Sequence, residues 1–282
     1  MISYNGEVLD INSFPDGTLM LKPKYYAFSV DIVWKYENDR EFLALIYLVK
    51  HLRSRGADGI RLFMPYIPNA RMDRVKNPED VFTLKYFAEL LNSLNFDEVE
   101  VLDPHSNVSE ALINNLVVRT PEDCINRALN EIGVDCLVSY DAVDFNLPRK
   151  KYSLTMFYPD EGAMKRYSGM IALPYAFGIK KRDWETGQIL GLDVAGEVDA
   201  IRGRDILIVD DICSRGGTFL HSAKKLKELG ARDIFLYVSH CENTILEGEL
   251  LTSGLVKRVF TTDSIFTKSH ELIEVFKGVI TK

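Results

Sequence analysis

Cysteine is scarce in this chain. Four are present, Cys124, Cys136, Cys213 and Cys241, widely spaced and without a CxxC pair. That excludes a disulfide-stapled scaffold and a spaced His/Cys cage for structural zinc, and it reads as free thiols in a reducing cytosol. No apolar run is long enough to span a bilayer. The first residues, MISYNGEVLD, lack a basic segment followed by an apolar one, so neither a signal peptide nor a membrane partner is expected. Positive charge is in deficit: 34 Lys plus Arg stand against 41 Asp plus Glu, a formal net charge of -7. A general nucleic-acid binder is more often basic, so no nucleic-acid partner is expected, while a local basic pocket for a small anion stays open. Gly (18) and Pro (10) are too few for a disordered chain, and no low-complexity tract occurs.

What is there is core-forming material. The hydrophobic fraction is 46% of 282 residues, enough for two domains. Phe42, Leu45, Ile46, Val49 and Leu52 recur at helical spacing and predict a helix over 37–55, ended by Gly56. A strand over 59–64, a helix over 84–94, a strand over 99–102 and a helix over 121–131 follow. The rhythm restarts after about residue 140. Strands are expected over 153–158, 173–179, 190–198, 205–209, 234–239 and 256–260, and helices over 162–169, 217–229, 243–251 and 270–276. Alternation of this kind predicts mainly parallel sheets flanked by helices, in two α/β domains, 1–139 and 140–282, with the last helix available to pack back on the first.

The stretch ILIVDDICSRGGT, from Ile206 to Thr218, carries the chemistry. Four apolar residues lead to Asp210 and Asp211. Cys213, Ser214, Arg215, Gly216, Gly217 and Thr218 then lead into a helix. In open parallel sheets ligands bind beyond the C-terminal strand ends. Glycines there turn several N–H groups onto one spot at the positive end of a helix, which suits a phosphate. Neighbouring aspartates suit sugar hydroxyls or a metal ion. The stretch therefore reads as a site for a ribose bearing a 5′-phosphate, against a plainer reading in which Ser214 or Thr218 caps a helix. It carries neither GxxxxGK[ST] nor GxGxxG.

The stretch resembles the phosphoribosyl-diphosphate motif of the type I phosphoribosyltransferase fold, and the chain as a whole resembles the ribose-phosphate diphosphokinase family. Phe14-Pro15-Asp16-Gly17 is similar to the family's FxDGE, with Thr18 in the last position. Pro65-Tyr66-Ile67-Pro68-Asn69-Ala70-Arg71-Met72-Asp73-Arg74 is similar to PYxxYARQDR, with Met72 in place of glutamine. Asp103-Pro104-His105-Ser106 resembles DLHA, Tyr158-Pro159-Asp160-Glu161-Gly162 resembles SPDxGG, and Lys180-Lys181-Arg182 resembles KRR. Ser214-Arg215 stands where the family commonly has Asp-Thr.

The resemblance implies two phosphoribosyltransferase-like domains and a defined reaction: transfer of the β,γ-diphosphoryl group of ATP to the C1 hydroxyl of ribose 5-phosphate. It implies ATP as co-substrate and Mg²⁺ as cofactor. Lys180, Arg182, Arg71 and His105 would be catalytic. Phe14, Asp16, Arg71, Met72, Asp73, Arg74 and His105 would line the ATP side. Asp160, Asp210, Asp211 and residues 213–218 would hold the ribose phosphate, and His105 and Asp160 would meet the metal. It also implies a homodimer or a hexamer, since Phe14 and Asp16 would complete a neighbour's ATP site. The residues alone leave plainer roles open: a solvated Lys180-Lys181-Arg182 loop, a structural His105, a helix-capping Asp160. Arg215 strengthens 5′-phosphate binding, reaches a second phosphate of a larger acceptor such as ADP-ribose, or points outward. A phosphoribosyltransferase and an inactive regulatory relative are the remaining readings.

Overall fold

The computed structural model describes residues 1–24, 28–133, 154–182 and 189–278; of residues 180–182 and 189–190 only the backbone is described. The chain divides after Thr120 into two compact units. The expected seam, at 139/140, lies outside the described residues, and the division falls earlier for a physical reason. The helix after Pro121 buries Cys124, Ile125, Ala128 and Leu129 in one cluster with Tyr158, Val209 and Phe276, so its apolar face belongs to the second unit.

In the first unit the elements run β1 (Ile2–Tyr4), β2 (Glu7–Val8), β3 (Ile11–Ser13), β4 (Leu19–Leu21), β5 (Ser29–Trp34), α1 (Asp39–Ser54), β6 (Gly59–Phe63), α2 (Thr83–Asn92), β7 (Glu98–Leu102), α3 (Val108–Leu112) and β8 (Leu116–Arg119). One sheet has the order β2-β1-β5-β6-β7-β8; β3 and β4 form a hairpin of their own. From β5 to β8 every pairing is parallel, and only β1, between β2 and β5, runs against its neighbours. Of the apolar stripe read along α1, Leu45, Val49 and Leu52 are inside with Ala44 and Leu48, while Phe42 and Ile46 are half-buried at its margin. A fully buried leucine of this kind stabilises by roughly 1.5–3 kcal/mol. Trp34 ends β5 with its ring stacked 5.7 Å from Phe42 and its Nε1 donating to Glu41 at 3.0 Å. The buried indole and carboxylate thus satisfy each other.

In the second unit come α4 (Glu122–Ile132), β9 (Leu154–Tyr158), α5 (Glu161–Tyr167), β10 (Tyr175–Arg182), β11 (Ile189–Gly196), β12 (Asp205–Cys213), α6 (Gly217–Glu228), β13 (Ile234–Cys241), β14 (Arg258–Thr262) and β15 (Ile273–Phe276). The sheet order is β11-β10-β9-β12-β13-β14-β15, parallel except where β11 turns back on β10. Apolar side chains cover both of its faces in two separate clusters. The expected mixed α/β architecture is observed.

Three expectations fail. Residues 270–276 are not a helix: β15 pairs with the open edge of β14, Val259 opposite Ile273. Residues 243–251 form only a short 3-10 turn, Asn243–Glu247. And β12 does not stop at Val209. It runs through both aspartates to Cys213, because β13 offers it partners that far, Asp210 opposite Val238 and Cys213 opposite Cys241.

Candidate functional site

In the first unit the chain leaves β6 into the PYIPNARMDR segment. Met64, Tyr66, Ile67 and Ala70 are buried and anchor it. The N–H of Met64 donates to Glu100 at 2.8 Å and that of Leu102 to Pro65 at 3.1 Å, so the ladder to β7 continues past the strand end. Asn69 adopts a left-handed φ of 65°, and the Met72 N–H closes a turn onto its carbonyl at 3.0 Å. That turn exposes Arg71, Met72 and Arg74 while burying Asp73. Arg74 donates twice to the Asp73 carboxylate, at 2.8 and 3.0 Å. This guanidinium, then the Ser106 hydroxyl, with a lesser effect of His105, holds Asp73 below the ordinary carboxylate range. Two motifs far apart in sequence therefore meet at one buried aspartate. Asp103, with φ 42°, turns the chain off β7 to present His105 half-buried.

Phe14 and Asp16 lie in the β3–β4 turn. Asp16 accepts from the Thr18 N–H at 3.0 Å and the Thr18 hydroxyl at 2.7 Å, which lowers its pKa. Thr18, where the family pattern has glutamate, thus serves the turn itself. Phe14 is exposed at the tip.

In the second unit the chain reverses direction across the sheet between β9 and β12. Connections from β9 run to β10 on one side; those from β12 run to β13, β14 and β15 on the other. A crevice opens at such a switch point, beyond the strand ends. Register places it: β9 last pairs with β12 at Ile208, opposite Phe157. Asp210 and Asp211 extend beyond that pair, beside the segment carrying Asp160. Asp160 caps α5, accepting from the Ala163 N–H at 3.1 Å, so the plainer role read for it is real. It also faces Asp210. Burial first, then the charge of Asp211 and, more weakly, that of Asp160, hold Asp210 well above the ordinary carboxylate range. Arg166 of α5 stands 3.6 Å from Asp211. Neither Arg166 nor its role was read from sequence; α5's own periodicity holds no sign of which strand it faces.

The turn after β12 is built as a nest. Gly216 has φ 79° and opens α6, with Gly217 exposed behind it. Of the three readings of Arg215, the outward one describes its position. Its guanidinium pairs with Glu247 at 3.0 Å, and both side chains are largely exposed, at 72% and 59%. Cys213 is a correction: its side chain lies in the apolar core beside Cys241 and contributes nothing to the crevice. Hydrogen bonding to Cys241, then burial, push its thiol up. Lys180 and Arg182 end β10 at its hairpin with β11, and their side chains lie outside the described residues.

Among the described residues no group of three His, Cys, Asp or Glu forms a metal cage. The crowded carboxylates of the second unit nonetheless suit a hydrated Mg²⁺, which needs only one or two protein oxygens when phosphates supply others.

No family model matches the chain. A ribose-phosphate pyrophosphokinase of Shewanella oneidensis is 28% identical over 236 residues, 83% of this chain and 70% of the relative. One of Pyrococcus abyssi is 26% identical over 280 residues, 96% of this chain and 90% of its own length. A solved phosphoribosylpyrophosphate synthetase from Mycobacterium smegmatis matches the fold with a TM-score of 0.75 at 17% identity, covering 96% of this chain and 86% of that one. The likeness spans nearly the whole chain, which is a homologue of the ribose-phosphate pyrophosphokinases and has the fold of a phosphoribosylpyrophosphate synthetase.

Proposed function

We propose that the protein is a ribose-phosphate diphosphokinase, transferring the β,γ-diphosphoryl group of ATP to the C1 hydroxyl of ribose 5-phosphate and releasing AMP. The observation that carries this is the pairing of a glycine nest with two strand-borne aspartates at the switch point of the second unit, in a chain homologous to such enzymes over nearly its full length. The nest's N–H groups and the start of α6 take the 5′-phosphate; Asp210 and Asp211 accept from ribose hydroxyls. In the first unit Arg71, Arg74 and His105 take the triphosphate, with Met72 beside the base; Phe14 and Asp16 complete the nucleotide site of a neighbouring copy in a homo-oligomer. His105 in the first unit and Asp160 in the second would each meet Mg²⁺, which would neutralise charge on the transferred group. Lys180 and Arg182 clamp that group as charge builds on its oxygens. The cytosol is the compartment this reading assigns, in keeping with the free thiols of Cys124, Cys213 and Cys241.

The outward Arg215, already partnered by Glu247, favours ribose 5-phosphate over a larger acceptor. The test is AMP formation from ATP, Mg²⁺ and ribose 5-phosphate. AMP with ADP-ribose but not ribose 5-phosphate would sink the acceptor assignment, and AMP with neither would sink the reaction. Lys180→Ala should cut turnover by about 10²–10³-fold, the usual loss of a transition-state donor, without lowering the melting temperature.

A further inference from the structure

The nest does not hold its own shape. A Cβ built on Gly248 overlaps the carbonyl of Arg215, so the backbone there lies flush against the nest, at a distance only glycine permits. A Cβ on Gly216 comes within 2.9 Å of Leu250, which is itself buried. Glu247 binds the Arg215 guanidinium. Three consecutive features of the chain after β13 thus bear on two residues of the nest, 32 residues earlier in the case of the ion pair. The segment begins at the end of the 3-10 turn Asn243–Glu247, which comes just after β13, whose end at Cys241 is in register with the end of β12 at Cys213.

We propose that residues 247–250 are the positioning element of the anion nest. Gly248 and Leu250 fix its backbone, and Glu247 holds Arg215 aside, which sets the site for a single phosphate group on a sugar. The proposal rests on the reading of the nest as the ribose-phosphate site. Moving the Arg215 carbonyl rotates the peptide that follows it and hence the N–H of Gly216. Neutralising Glu247 releases a guanidinium at the rim and adds one positive charge where a second phosphate would lie.

The test is calorimetric binding of ribose 5-phosphate and ADP-ribose, with steady-state kinetics in parallel. Gly248→Ala should raise the KM for ribose 5-phosphate by about 10-fold, as overpacking of this kind costs, with kcat at saturation and the KM for ATP little changed. A merely structural role would lower the apparent kcat through loss of folded enzyme and leave both KM values unchanged. Glu247→Gln should tighten ADP-ribose relative to ribose 5-phosphate by about 3–5-fold at low salt, a gain that 0.5 M salt screens out by about its full extent. If Gly248→Ala does not fold, the Glu247→Gln ratio alone decides. Wild-type binding with neither shift overturns the positioning role; no wild-type binding of ribose 5-phosphate overturns the nest assignment instead.

Discussion

Asp73 of the first unit and Asp210 of the second both sit where motifs converge, yet their surroundings drive them apart. Asp73 is buried against the Arg74 guanidinium, and its carboxyl lies below the ordinary range. Asp210 is half-buried beside two further carboxylates, and its carboxyl lies well above that range. The first cluster sets Asp73 against its own cation, Arg74. The second crowds Asp210 with Asp211 and Asp160, and its cation, Arg166, stands 3.6 Å from Asp211. One cluster lowers its central carboxyl and the other raises it. The sheets differ in the same sense: parallel strands β5 to β8 proceed in one direction, whereas the second sheet reverses between β9 and β12 and opens a crevice.

The sharpest way to break the contrast is Asp73→Asn. It removes the charge that Arg74, Ser106 and His105 surround, and should cost about 1–3 kcal/mol of stability at pH 7, as for a buried charged hydrogen bond. The sign of the pH dependence follows from linkage. A carboxyl lowered on folding contributes stability above its unfolded pKa of about 4 and loses it as pH falls through the folded value. The difference in melting temperature between wild type and variant should therefore be full at pH 7 and shrink below about pH 4. An unchanged melting temperature at pH 7 would show that the pair is inert.

Asp210→Asn should act in the opposite direction and more weakly. A carboxyl raised on folding binds more protons in the folded state, so stability falls as pH rises from its unfolded value through its folded one, and stays lowered above it. Removing the charge removes that loss. The variant should melt higher than wild type at pH 8, with the difference closing towards pH 4, about the unfolded pKa, and it should bind ribose 5-phosphate less well. A lower melting temperature at pH 8 would mean that Asp210 is already compensated, and the contrast with Asp73 would fall.

How much of this was readable in sequence follows the range of the interactions. The helices α1 and α6 and the strand cores of β12 and β13 are written in local periodicity, and both convergence points lie in motifs that stand out by residue type. The misread parts depend on distant partners. Residues 270–276 carry their apolar residues as two adjacent pairs, Leu272-Ile273 and Val275-Phe276, a helical spacing, and the free edge of β14 selects a strand instead. The predicted helix over 243–251 stops at Gly248, where the chain packs against Arg215. Asp210 and Asp211 lie inside a strand, not after it, because β13 is long enough to pair with them. Cys213 looked like part of the nest by adjacency, but its buried neighbour Cys241 holds it in the core.

Arg215 is the residue on which local sequence misleads most, and it provides the smallest predicted effect. Its charge stands in an anion-binding motif, yet its partner Glu247 and its exposure of 72% make the contact a surface ion pair. Such pairs contribute about 0.2–1 kcal/mol, because solvent screens them and ordering two long side chains offsets the attraction. Arg215→Ala should therefore shift the melting temperature far less than Asp73→Asn, and the shift should vanish at about 1 M salt, where the Debye length is about 3 Å. A loss as large as that of Asp73→Asn, persisting in salt, would place the guanidinium in a buried role. The outward reading of Arg215 would then no longer hold.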